Sequence, residues 1–425
     1  MKKTLQILMI LFSMNLFAQT DGYLVHNLNL PLAEFDVESD TSAIRILKIP
    51  FLSIQLDLYS SSRISSLINK KNNSLVLTPF DYMNSIAQSS SHILHVNNHL
   101  LYYLFRSNNI NYSFGLNHRL SLDGGFSDQF LSLLIDGNYQ FLNQVISLSD
   151  NKIRGYNYLS LFFGYSRSLS KTILSAKIKI LSGIGSFGFD PGRTEIFTSE
   201  NNISYNTPFA TLVSSDFTAY YTEKINLLSN LGVACDLSLK YHISENISIY
   251  SSVLDLGFIQ WQENQLSSNG SYFFNGLDYN VDDDLVEGFT NIYDSIVDIF
   301  SINEKNNIKS TRNLPYEINF GLIYNFNNDT KNQIYLNYNF KNLQVSEPFS
   351  TISLAYKTYF ESSKVTLTPM YALNKFSKVN FSLLINKQWR DSFITNFYVH
   401  NIVNIFTDIP TTMSAGLGVE MLFLF

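Results

Sequence analysis

The sequence predicts an all-β fold, a transmembrane antiparallel β-barrel of about 14 strands with long outer loops and one amphipathic loop helix. Three observations predict it. Apolar and polar residues alternate over strand-length segments that recur along the chain. Charged residues make up only 15% of the chain, whereas aromatics reach 15%, with 34 Phe and 26 Tyr; an average soluble protein carries roughly 25% charge. The stretch from Gly416 to Phe425 is one apolar strand, with Leu417, Val419, Met421, Phe423 and Phe425 on one face. In a soluble domain such a strand is a sticky edge, but a barrel uses it to close.

Residues 1–18 read as a signal peptide and 19–425 as the outer-membrane barrel. Lys2 and Lys3 form a charged start, Leu5 to Phe17 an apolar core, and Ala18-Gln19 a small-residue cleavage point. Beyond Ala18 no apolar run approaches the ~18 residues of a spanning helix, so a membrane must be crossed by strands.

The strands follow in order. Ile110, Tyr112, Phe114 and Leu116 alternate with polar residues, as do Leu159, Leu161, Phe163 and Tyr165. Leu174, Ala176, Ile178 and Ile180 face away from Ser175, Lys177 and Lys179, and Val233, Cys235, Leu237, Leu239 and Tyr241 away from Asp236 and Lys240. The same pattern recurs at 318–326 and 333–340. Short polar turns fall at 168–171, 244–246, 327–330 and 361–363, and long loops are expected near 61–98, 122–155, 184–228 and 262–314. Short turns belong to the periplasmic side and long loops to the outside, which places Phe425 at the periplasmic rim, paired with a first strand near 51–60. Met421, Phe423 and Phe425 are then the expected assembly signal for the barrel-insertion machinery.

One helix is expected in the longest loop. Leu285, Phe289, Ile292, Ile296 and Phe300 share a face at helical spacing after the acidic cap Asp282 to Asp284. It would fold into the lumen as a plug or pack over the mouth, and the apolar patch from Phe130 to Ile135 would do likewise.

The chemistry-bearing residues point to a pore rather than a catalyst. Lys177, Lys179, Asp236, Lys240, Asp255, Lys357 and Glu420 lie in or beside strands opposite the apolar series and are expected to line the lumen, together with Arg154 and Arg167. Charge at mid-membrane depth is costly on the lipid face. His92, His95 and His99 would hold zinc only on a helix, and the β-prone residues among them favour an extended chain, so no metal is expected. Asp278, Asn280 and Asp282 begin a calcium loop that then fails, lacking Gly at its sixth position and Glu at its twelfth. Gly183-Ile184-Gly185-Ser186-Phe187-Gly188 lacks the Lys-Ser/Thr of a phosphate loop and is expected to be a strand end bending into a loop. No nucleophile elbow selects a serine, so no enzyme activity and no cofactor are expected. Cys235, the single cysteine, excludes an internal disulfide, and a net charge of −6 provides no footprint for nucleic acid.

The string Ser252-Val253-Leu254-Asp255-Leu256-Gly257-Phe258-Ile259-Gln260-Trp261, followed by Asn269-Gly270-Ser271-Tyr272, Phe274 and Gly276-Leu277-Asp278-Tyr279, resembles an uncharacterised family of Bacteroidetes-type outer-membrane proteins. The signal peptide, the acidic helix after Asp282 and Leu314-Pro315 are similar to that family too. The resemblance implies location and barrel fold and supplies no catalytic residues. More distantly the chain resembles fatty-acid transporter barrels, although their N-terminal hatch pattern is absent.

The expected function is a passive channel or transporter for small or hydrophobic molecules in the outer membrane, in contact with its lipid. The alternative is a non-transporting surface barrel, a partner of an assembly or secretion machine.

Overall fold

The structure is a computed structural model. It describes residues 45–48, 54–60, 68–71, 74–77, 89–107, 109–127, 129–130, 132–133, 138–199, 210–222, 227–274, 302–326, 329–376, 380–390, 392–400 and 414–425. The signal peptide, the helix expected at 285–300 and the calcium-like run at 278–282 lie outside the described residues.

Fourteen antiparallel staves form a closed barrel. They are β1 (Arg45–Lys48 and Ile54–Ser60), β2 (Ser89–Ser107), β3 (Ile110–Ser127), β4 (Ile153–Leu169), β5 (Thr172–Asp190), β6 (Ala210–Tyr221 and Leu231–His242) and β7 (Ile247–Phe274). They continue as β8 (Asn303–Asn313 and Tyr316–Phe326), β9 (Asp329–Asn342), β10 (Phe349–Phe360), β11 (Val365–Asn374), β12 (Asn380–Arg390), β13 (Phe393–His400) and β14 (Ser414–Leu424). Each stave pairs with the next, and β14 closes on β1 through Ile54↔Val419 and Leu47↔Phe423. Closure leaves no edge in the wall, as lipid demands.

Period-two alternation sorts the side chains. On β5, Leu174, Ile178 and Ile180 point outward, while Ser175, Lys177 and Lys179 are buried inside. On β6, Val233, Leu237 and Leu239 are outside, and Asp236, Ser238 and Lys240 inside. The outward residues are apolar on stave after stave, which is how a lipid-facing wall must be built. Outward aromatics gather near the short turns. Tyr112 contacts Tyr165 at 5.7 Å, Tyr324 contacts Phe326 at 5.1 Å, and Phe393 contacts Phe423 at 5.3 Å between ring centroids. They form part of the girdle expected at a membrane interface, here at the end of the short turns.

The staves run further than the sequence suggested. Much of 184–228 and 262–314, expected as loop, is strand, because β5, β6, β7 and β8 continue past the wall and pair with one another there. The short strands Val145–Ser147 and Glu195–Ser199 extend this outer sheet. The glycine-rich run 183–188 therefore does not bend into a loop; it stays in β5, and the turn comes at Asp190-Pro191-Gly192. Gly183 is needed there because a Cβ would stand 2.5 Å from the Trp261 ring. Arg167 also departs from expectation. It is exposed, on the same face as Leu161 and Phe163, three residues before the turn into β5. At the membrane rim an outward cation reaches water, so the cost that drives charges inward does not apply.

Candidate functional site: the barrel interior

The middle of the lumen is crossed by an ion-pair network. Lys179 on β5 places its Nζ 2.5 Å from Asp236 Oδ1 on β6 and 2.6 Å from Asp255 Oδ1 on β7. Arg119 on β3 donates to Asp255 Oδ2 from across the interior. A β-bulge makes this possible. The register between β6 and β7 shifts between Cys235 and Leu237, and Asp255 adopts a positive φ of 58°. Leu254 and Asp255 both then face inward, while Leu256 returns to the lipid side. The Asp255 amide donates to Asp236 Oδ1 at 2.8 Å, so the carboxylate that accepts Lys179 also pins the bulge.

Beside the network, Lys48 on β1 pairs with Glu420 on β14 at 2.8 Å. Lys177 lies over the rings of Phe162 and Tyr102, at 5.3 and 5.8 Å from their centroids. Gly115 has no side chain because a Cβ would meet Leu101 O at 2.3 Å and the Phe162 ring at 2.8 Å. His99, Asn117, Arg119, Phe162, Lys177, Lys179 and Asp236 enclose a cavity of about 10 Å³. That holds about one water. Towards the short-turn end, Ile46, Tyr102, Leu104, Phe162, Leu254, Ile394 and Leu422 belong to one buried apolar cluster drawn from six staves.

A loop reaches across the long-loop end of the barrel. The connection 343–348 between β9 and β10 folds inward and is held on the far wall by Asp123 of β3. The Asp123 carboxylate accepts the backbone N–H groups of Gln344 (2.9 Å), Val345 (2.8 Å) and Ser346 (3.1 Å). Tyr156 on β4 donates to the Gln344 side chain at 3.2 Å, and that side chain donates to the Asn313 carbonyl. Leu343 is buried with Ile93, Phe349 and Phe376. Three successive N–H groups converging on one carboxylate form a charge-assisted clamp.

The structure places Lys177, Lys179, Asp236, Lys240, Asp255, Lys357 and Glu420 inside the barrel, all buried. It brings Lys179, Asp236 and Asp255 together, and puts Glu420 with Lys48 rather than with any of the other six. Met421, Phe423 and Phe425 lie on the outward face of β14, with Phe423 and Phe425 6.4 Å apart. His92 and His95 fall on opposite faces of β2, and His99 is bound at 2.7 Å to Asn117, so the three rings do not converge. Among the described residues no group of His, Cys, Asp and Glu is placed to hold a metal. The sequence reading missed Asp123, Arg119 and Lys48. Asp123 and Arg119 sit on inner positions of β3, where alternation breaks down around Gly124-Gly125, and Lys48 precedes the expected first strand.

None of the curated proteins is similar to the chain in sequence. Among solved structures it is similar to the toluene transporter TbuX of Ralstonia pickettii, with 8% identity, a TM-score of 0.41, and 96% of this chain and 94% of that chain covered. It is also similar to the P. putida toluene transporter TodX, at 9% identity and a TM-score of 0.40 over 96% of this chain and 94% of that chain. A third is the translocator domain of the autotransporter NalP from Neisseria meningitidis, at 6% identity and a TM-score of 0.35 over 92% of each chain. The model of one sequence family matches residues 42–398, and the chain accordingly belongs to the Family of unknown function (DUF5723).

Proposed function

We propose that the protein is a gated outer-membrane channel or transporter for small or hydrophobic molecules, here in a closed state. The observation that carries this reading is the loop 343–348, held over the mouth by hydrogen bonds to a single carboxylate, Asp123. A permanent lid has no need of so concentrated an attachment, whereas a gate gains from one removable anchor. The outer rim, the ion-pair network and the periplasmic apolar cluster then form successive constrictions along one path. The test is solute flux into liposomes, using the full chain, a variant with 343–348 replaced by Gly and Ser, and one lacking 282–300. Release of either loop should speed entry of small solutes; equal, negligible entry in all three would overturn the reading.

A second reading, a non-transporting barrel that serves a surface or assembly machine, is favoured by the close packing beside the ion-pair network, where the cavity lined by Arg119, Lys177 and Asp236 measures about 10 Å³. It predicts stoichiometric recovery of a partner after cross-linking in native membranes. Recovery of the barrel alone would count against it.

A further inference from the structure

Two arginines share one aromatic ring at the long-loop end of the interior. Arg154 is the second residue of β4, and Arg312 stands one residue from the end of the Asn303–Asn313 segment of β8. Their guanidinium carbons lie 5.1 and 4.6 Å from the centroid of the Tyr220 ring on β6. Arg154 is on the same face of β4 as Tyr156, Tyr158 and Phe162, all buried, so it points into the barrel. Its side chain crosses β5 over Gly188, the ladder partner of both Arg154 and Tyr220, where a Cβ would collide with Arg154 Nη1.

The two arginines are unequally served. Arg312 donates through Nη2 to Glu263 Oε2 at 2.5 Å. Among the described residues Arg154 makes no hydrogen bond and no ion pair, and the ring is what holds its charge. In both side chains Nη1 is buried without an acceptor. The neighbouring carboxylates are engaged elsewhere. Glu263 also accepts from Ser310 at 2.8 Å and, on its other oxygen, from Ser186. Asp123, the ladder partner of Arg154 on β3, is taken up by the amides of 344–346.

Like charges beside one ring repel, and a buried donor without an acceptor is costly. Such orphaned donors in a native structure call for a missing acceptor. An oxyanion supplies one, because the guanidinium fork matches the paired oxygens of a carboxylate or phosphate. The surroundings suit capture of a solute. Tyr156, two residues along from Arg154, stacks on Trp261 at 5.7 Å in a buried apolar cluster with Leu181, Ile259 and Leu314. Tyr156 and Asn313, which follows Arg312, are also the groups that hold Gln344 of the mouth loop.

We propose that Arg154 and Arg312 form a binding site for the carboxylate or phosphate group of an incoming solute. This rests on the channel reading above and names the chemical group its solute carries.

Trp261 provides the readout. The chain has two tryptophans, so Trp389→Phe leaves Trp261 as the single one. That protein, with the mouth loop intact and with 343–348 replaced by Gly and Ser, is titrated in maltoside micelles, which contain no phosphate. Sodium phosphate and sodium acetate should each change the Trp261 emission saturably in the opened form, whereas sodium chloride at equal ionic strength should not. Arg154→Gln removes a cation that has no ion pair, so it should fold normally and weaken binding roughly tenfold or more. Arg312→Lys keeps a charge for Glu263 but loses the fork, and it should weaken binding as well. No saturable response to either anion, or an affinity that both variants leave unchanged, overturns the site. Entry of neutral solutes into liposomes through the opened form would then leave the channel standing. Saturable, Arg154-dependent binding without any solute entry would overturn the channel and with it the role of the bound anion as cargo.

Discussion

Asp255 on β7 meets Arg119 on β3 across the barrel interior, although three staves separate them along the wall. The contact depends on local backbone strain, since Asp255 is a non-glycine residue at φ 58° in a bulge. Such positions cost of order 1–3 kcal/mol. The compensation is visible. Asp255 accepts from Arg119 and Lys179, and its amide is bound by Asp236. In a water-poor interior these charges stabilise only as a set, because any one left alone is uncompensated.

Asp255→Ala should therefore be among the most damaging single changes in the wall. It leaves Arg119 and Lys179 without a shared carboxylate, and a broken buried pair costs about 3–5 kcal/mol. Urea titration of the liposome-folded protein should show a large loss, against a small one for Leu256→Ala on the adjacent lipid-facing position. Equal losses would dissolve the network as a stabilising unit.

Charge on the outside of the wall should be punished by depth. Ile178 is 66% exposed, on an outward position of β5. Ile178→Arg should cost about 2–4 kcal/mol of folding free energy in a bilayer, whereas Leu169→Arg, beside the short turn into β5, should cost about 0–1 kcal/mol. Folding equilibria in liposomes measure both, and a reversed order would place the membrane elsewhere on the barrel.

Gly257 packs against β6 so closely that an added Cβ would meet Val233 O at 2.2 Å and Ala234 Cβ at 2.4 Å. These are wall atoms that cannot swing aside. Gly257→Ala should destabilise by about 1–3 kcal/mol, as overpacking does. An unchanged urea midpoint would show that the β6–β7 contact is looser than described.

The terminal strand completes the ring. The Phe425 amide donates to the Arg45 carbonyl at 3.0 Å, and the Arg45 amide to the Phe425 carbonyl at 3.2 Å. Removing 421–425 deletes the pairing of Lys48 with Leu422 and of Leu47 with Phe423, and opens the barrel. The truncated chain should fail to show the heat-modifiable gel migration of a folded barrel. Normal migration would mean that closure does not depend on this strand.

The barrel was legible because lipid and lumen impose a period of two on every stave, as at Leu174 to Ile180 and Val233 to Tyr241. The strand number followed from the same rhythm and from the short polar turns. The strand lengths were not legible: outside the membrane, β6 and β7 continue with polar residues such as Ser214, Ser215 and Asn269, which carry no lipid signal. Inward charges at Lys177, Asp236 and Lys240 could be named, but not their partners, since Arg119 and Asp255 meet only after the wall has curved shut. The mouth loop was invisible for a similar reason. Its contacts with Asp123 run through backbone amides, and no choice of side chain at Gln344 or Val345 announces them. Arg167 misled because alternation gives a face but not a depth.

Single-channel recording of Asp123→Ala against the unaltered chain tests the gate most directly. Without its carboxylate the loop 343–348 loses all of its described amide anchors on β3, so openings should become longer and more frequent. Adding Arg119→Ala, which removes the bridge at mid-wall, should raise the unit conductance further. Silent or indistinguishable recordings from all three proteins, each shown to be folded by heat-modifiable migration, would contradict the account.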